Sequence, residues 1–214
     1  MMPWYILFNL SIVLAAVIAA ARFNAYGKAL FPFLCLVWLA AANEILSLVL
    51  MYTVRDNSIN SNIYTLLEFG LILLQYFFWN GGRKQLFSFL AIAGLFIWIL
   101  DNLALHALRD NNSLFRICYA FTIVILSIDA LNRRIIDARR PLLKDTVFLI
   151  CAGFLFYFSC KAFMEVFNLF AIGYSTVFEA RLFFTLSFVN CISNLLYAIA
   201  LLCIPMKQQY SLPF

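Results

Sequence analysis

The stretch from Thr146 to Phe167, TVFLICAGFLFYFSCKAFMEVF, is apolar and 22 residues long, yet it carries Lys161 and Glu165 four residues apart. About 20 such residues suffice to cross a bilayer. On a helix, a spacing of four puts both charges on one face, one turn apart. A charge at the centre of the hydrocarbon costs at least ~2.5–3.5 kcal/mol on insertion scales. The charged stripe must therefore turn toward other helices or a water-filled cavity, and those helices must supply its partners.

Such helices are present. Seven apolar segments meet the length requirement, at 3–21, 29–52, 60–79, 86–106, 113–131, 146–167 and 181–204. The chain is 65% hydrophobic and 12% charged, against roughly 45–50% and 25% for soluble domains. The expected fold is all-α, a polytopic membrane bundle of about seven transmembrane helices. The spans consume the length, so residues 1–214 read as one transmembrane domain. No kinase, cyclase or nucleotide-binding domain of ordinary size fits beside them. The first segment has no basic stretch before it, and Arg22 follows it. That is the reverse of a cleaved signal peptide, so it reads as a retained helix. Apart from Pro3, which opens the first segment, the only proline within the spans is Pro32, in a first turn where proline is tolerated.

Alternate connections differ in basic content. One side holds Arg22, Lys28, Arg83, Lys84, Arg133, Arg134, Arg139, Arg140, Lys144 and Lys207; the other holds Arg55, Arg109, Arg116 and Arg181. The richer side is expected to be cytoplasmic, giving an N-out, C-in topology in a cell (inner) membrane. The same bias accounts for the net charge of +5 without a nucleic-acid partner. The connection 132–145, NRRIIDARRPLLKD, lies near anionic headgroups. Arg133, Arg134, Arg139 and Arg140 there are a candidate docking site for a cytoplasmic or membrane partner. On the other side, 168–180 is apolar enough to form a short interfacial helix. The six cysteines fall inside spans and form no CxxC pair, so neither a disulfide framework nor a zinc site is expected.

Polar residues at depth are the informative ones: Asn43, Glu44, Glu68, Gln75, Asp101, Asn102, Lys161, Glu165, Asn190 and Asn194. With a rise of about 1.5 Å per residue, Glu44, Glu68, Asp101, Lys161 and Glu165 share the outer half of the bilayer, although they come from four helices. Gln75 and Asp129 lie toward the cytoplasm. The expectation is an outward-facing polar pocket, or ion-pair cluster, formed by Glu44, Glu68, Asp101, Asn102, Lys161, Glu165 and Asn190. A lysine–carboxylate bridge that only fixes helix packing is the plainer reading. One lysine cannot neutralise four carboxylates, however, and an intramembrane ionisable cluster is by default a functional site. Arg116 and Arg181 at the rim are further candidate partners.

Several chemistries fail on inventory. A zinc hydrolase of the ceramidase type needs several histidines, and His106 stands alone. A retinal protein would place its lysine on the last helix, and Lys161 is on the sixth. No metal or cofactor is expected, and the chain reads as a non-enzyme. A ligand-binding or sensing module acting with a partner, its ligand small or lipid-like, fits best. The alternatives are a small proton-coupled transporter or a carboxylate-dependent lipid hydrolase, since paired carboxylates can do acid–base work. The nearly apolar inner half of the bundle favours binding over transport. Finally, Asn60-Ser61-Asn62-Ile63-Tyr64 opening a helix, then Glu68, after a helix bearing Glu44, resembles small orphan seven-helix membrane proteins of Bacteroidota type. That resemblance implies an inner-membrane setting and no activity.

Overall fold

The computed structural model describes residues 3–80, 83–105, 108, 113–137, 141–170 and 176–204; these form helices joined by turns, with no strand among them. The helices are α1 (Pro3–Asn9), α2 (Ile12–Ala21), α3 (Phe31–Thr53), α4 (Ser58–Trp79), α5 (Lys84–Ile99), α6 (Ser113–Ile136), α7 (Thr146–Leu169) and α8 (Thr176–Leu202). A π-helical turn, Leu100–Leu105, prolongs α5. Because α1 and α2 are two pieces of one apolar segment, the described residues form seven helical segments. Five stretches are long and apolar enough to cross a membrane: Lys28–Thr53, Lys84–Leu105, Ser113–Ile136, Thr146–Leu169 and Ala180–Leu202. A shorter apolar helix covers Ile6–Ala21. α4 is comparably long, at 22 residues, but its Asn60, Asn62, Glu68 and Gln75 make it the polar member of the set.

Two boundaries differ from expectation. Of the stretch 168–180, residues 171–175 lie outside the described residues; on either side of them α7 continues to Leu169 and α8 already begins at Thr176. No glycine or proline interrupts 176–202, so nothing stops the helix there. The first segment, in turn, is not a uniform rod. The N–H groups of Ser11, Val13 and Leu14 reach carbonyls three residues back at 3.3, 3.0 and 3.1 Å. This is a tightened, 3₁₀-like turn. The Ser11 hydroxyl donates to the Phe8 carbonyl at 2.6 Å, the local competition by which serine unsettles a helix.

Helix ends inside an apolar bundle must have their backbone groups satisfied, and distant side chains do much of this. Gln75 of α4 accepts from Phe33 N–H at 2.9 Å and donates to the Ala29 carbonyl at 2.8 Å, so one fully buried amide closes the start of α3. Arg22 donates to the carbonyls of Leu201, Leu202 and Ile204 at 3.0, 2.8 and 2.6 Å, closing the end of α8 with a cation where the helix dipole favours one. Asp145 caps α7 by accepting from Phe148 N–H at 2.8 Å.

α2, α3, α4, α6, α7 and α8 pack as neighbours in a closed ring, α1 lies on α8, and α5 sits outside on α4 and α6. The centre is aromatic: Phe33, Tyr76, Phe115, Tyr119, Phe154 and Phe158 are almost fully buried. Phe33, Phe154 and Tyr197 meet edge to face at 5.5–6.2 Å, a favourable geometry for ring quadrupoles. Tyr76 shares a hydrogen bond with Ser127 at 2.7 Å, tying α4 to α6.

The α7–α8 seam depends on Gly153. Ser193 donates to its carbonyl at 3.1 Å, and a Cβ built on it would overlap the Tyr197 ring. A Cβ on Gly70 of α4 would meet nothing within 4 Å. Gly153→Ala is therefore expected to lose about 1–3 kcal/mol through overpacking, while Gly70→Ala is neutral or slightly stabilising. Thermal unfolding of the two variants in one detergent checks this. Equal midpoints would show that the seam relaxes freely.

Candidate functional site

Glu68 on α4 and Lys161 on α7 face each other across the bundle, with Lys161 Nζ 3.1 Å from Glu68 Oε2. Both side chains are buried. Tyr119 donates to the same oxygen at 2.8 Å, and Tyr64, one turn before Glu68 on α4, donates to Oε1 at 3.0 Å. The Lys161 ammonium also lies over the rings of Tyr119, Tyr157 and Phe158, 5.0–5.6 Å from their centroids. Cation–π attraction is strongest when the cation is desolvated, as here. Charge-assisted hydrogen bonds thus satisfy both oxygens of the carboxylate.

One turn beyond Lys161, Glu165 has a separate set of partners. Arg116 Nη1 lies 3.4 Å from Glu165 Oε1. Ser113 and Asn168 donate to Oε2 at 2.7 and 3.3 Å. Arg116 also donates to Asn62 Oδ1 at 2.8 Å and Ser61 Oγ at 3.0 Å, joining α6 to α4. Arg181 is exposed.

Asp101 is placed elsewhere. It sits in the π-helical turn, fully buried, and its Oδ2 accepts from Phe115 N–H at 2.8 Å. The carboxylate therefore caps α6 from the preceding helix, where the dipole favours an anion. Asn102 donates back to the Trp98 carbonyl at 3.0 Å. Neither residue lines the cavity around Lys161.

That cavity has two chambers. The inner one is about 60 Å³, floored by Phe33, Ile72, Phe154 and Tyr197. The outer one is about 220 Å³ and takes in Lys161, Glu165 and Arg116. Glu44, Tyr64, Tyr157 and Asn190 line both. The outer chamber shares Asn57, Ser61 and Glu165 with an opening bordered by Arg55 and Asp56. The result is one crevice between α3, α4, α7 and α8 that opens at the α3–α4 turn. Arg55 closes that turn in the left-handed region at φ 60°, its N–H on the Leu50 carbonyl at 3.0 Å. Beside it, Asn60 bridges Asn43 and Asn57 at 2.9 and 3.0 Å.

Of the seven residues expected to cluster, Glu44, Glu68, Lys161, Glu165 and Asn190 meet along the crevice; Asp101 and Asn102 do not. Glu44 is the exception in bonding: half-buried on both chambers, it makes no hydrogen bond or ion pair among the described residues. Asn190 and Asn194 donate to Asn9 Oδ1 at 3.4 Å and Ser11 Oγ at 2.9 Å, anchoring the tightened turn of the first segment. Sequence reasoning missed Tyr64, Tyr119 and Ser113. The spacing Tyr64–Glu68 held one signal, since it places a donor on the acid's own face. Ser113, Arg116 and Tyr119 recur at intervals of three on one face of α6. His106, Arg109, Arg139, Arg140 and Lys207 lie outside the described residues. No protein-family model, curated protein or solved structure matches this chain.

Removing one member of a buried pair strands the other, at about 3–5 kcal/mol. Glu68→Gln and Lys161→Met are each expected to lower the unfolding midpoint in detergent on that scale, and the double variant to regain at least half of the loss. A double-variant cycle measures the coupling. Simple additivity would mean that the two side chains do not act as a pair.

Proposed function

We propose that this chain is an N-out, C-in multi-pass protein of the inner membrane with a single transmembrane domain. Its crevice opens outward, binds a small or lipid-like ligand, and reports the bound state to a partner at the cytoplasmic end. The setting rests on the ten-to-four division of Lys and Arg between the two sides and on the resemblance to seven-helix proteins of Bacteroidota type. The function rests on Glu44. Glu68, Asp101 and Glu165 each have partners, whereas Glu44 lines an open crevice with none among the described residues. A carboxylate kept in that position without a partner suits a group that arrives from outside.

The fold supports reporting over passage. Below the inner chamber, Ile72, Gln75, Tyr76, Ile150 and Phe154 pack closed, each at most 1% exposed. α4 links the two ends: Tyr64 and Glu68 stand in the crevice, Gln75 holds α3, and Asn80, just past the helix, accepts from Arg133 at 2.9 Å. Arg133 also bonds Asp129, and Arg134 lies 3.6 Å from Asp145. A shift of α4 would thus reach the basic end, where Arg133 and Arg134 with Arg139 and Arg140 form the proposed docking site. A second reading, proton-coupled transport, draws on the tightened turn at Asn9–Leu14, because interrupted helices often line transport sites.

Single cysteines at Asn57 and Asp137, in a background without the six native cysteines, test the topology. A membrane-impermeant maleimide applied to intact cells should label the first and spare the second. Labelling of both from outside would overturn the orientation. Proteoliposomes separate the two functions: binding predicts no proton flux above empty liposomes, whereas a flux abolished by Glu44→Gln would replace sensing with transport.

A further inference from the structure

The charges and walls of the crevice restrict what can enter it. Among the described residues, the cations inside its two chambers are committed: Lys161 to Glu68 at 3.1 Å, and Arg116 to Glu165 at 3.4 Å; Arg55 borders only the opening. Glu44 is the carboxyl left over where the two chambers meet. An anionic ligand in the chambers would meet that carboxyl with no uncommitted cation beside it. A neutral ligand would leave that half-buried carboxyl to be neutralised by a proton, whereas a cation supplies the compensation itself.

The remaining polar atoms point the same way. Asn190 and Asn194 spend amide N–H groups on Asn9 and Ser11. Their carbonyl oxygens make no hydrogen bond among the described residues, and both residues line the inner chamber. The chamber therefore offers acceptors beside Glu44. Tyr64 and Tyr157 line both chambers together with that carboxyl. Aromatic faces attract cations, and the structure already shows this, with Lys161 Nζ 5.3 Å from the Tyr157 ring centroid. The inner chamber, about 60 Å³ with an aromatic and aliphatic floor, is well below the ~150 Å³ at which an apolar cavity takes up benzene. It suits a short alkyl group.

We infer that the crevice takes a short-chain organic monocation, a primary amine whose ammonium sits between Glu44 and the Asn190 and Asn194 carbonyls, with its alkyl group in the inner chamber. This inference rests on the proposed outward-opening crevice. It deepens that reading by naming the ligand's charge and class.

The test uses the full chain in detergent, without native cysteines, carrying Ser187→Cys, which lines the outer chamber one turn before Asn190 and is none of the proposed binding groups. Its rates of modification by a cationic (trimethylammonium-ethyl) and an anionic (sulfonatoethyl) methanethiosulfonate are each normalised to a free thiol in solution. The cationic reagent is expected to lead by about tenfold or more, the effect of one unpaired charge at close range. In Glu44→Gln the ratio should fall to near one, while Glu44→Asp keeps it. A monodisperse profile on size exclusion shows that each variant is folded. Ethylammonium should protect the cysteine in the Glu44 protein and not in Glu44→Gln; ethanol and acetate should protect neither. Failure of both reagents to react would show that the crevice is closed, and the proposed function would fall together with the inference. Equal or anion-favoured rates, or protection by ethanol or acetate, would overturn the cation assignment and leave the open crevice standing. Charge selectivity without protection by ethylammonium would show a local potential with no binding site, and would also overturn the inference.

Discussion

The bundle depends on an ion pair held among aromatic rings. Lys161 and Glu68 are both buried, and the hydroxyls of Tyr64 and Tyr119 complete the carboxylate's bonding. In such surroundings a charge is tolerable only when its partner and its remaining hydrogen bonds are all in place. The pair therefore fixes more than itself. It locks the register of α4 against α7, and Tyr119 brings in α6. α4 needs this most, because its asparagines, Glu68 and Gln75 make it a poor guest in hydrocarbon unless it is surrounded by partners.

α6 supplies most of those partners. Its Phe115 N–H receives Asp101, its Ser113 and Arg116 receive Glu165, and its Tyr119 receives Glu68. Three acids from three different segments are thus settled along the first two turns of one helix, by a dipole, a guanidinium and a phenol. This division resolves the imbalance of four carboxylates against one lysine: each acid but Glu44 finds a different kind of compensation. Glu44 stands outside that arrangement, on α3.

Much of the architecture was legible because apolar runs of about 20 residues announce themselves whatever surrounds them. Even α4 was found at 60–79, despite its polar content. What periodicity could not show is which helices are neighbours. Lys161 and Glu165 share a face, so their spacing suggests common partners; in the bundle they face different ones, Glu68 and Arg116. Asp101 looked like a member of the cluster because depth was the only coordinate available, and depth does not distinguish a cavity wall from a helix cap. Arg22 was counted as a topological charge, and its contact with carbonyls some 180 residues away has no local signature. Likewise, the start of α8 at Thr176 was hidden by composition, since an apolar interfacial loop and an apolar first turn read alike.

The ring is closed by its two ends. Arg22, between the first segment and the second, grips the last carbonyls of α8, and Asn194 of α8 holds Ser11. During synthesis these groups emerge far apart in time. The turn at Ser11 waits for its amide partner until nearly the whole described chain has been made, and so does the crevice wall that Asn190 and Asn194 provide. The crevice is therefore a late product of assembly. A chain arrested before α8 would lack the wall that Asn190 and Asn194 provide, so an enclosed chamber reports that the whole ring has closed.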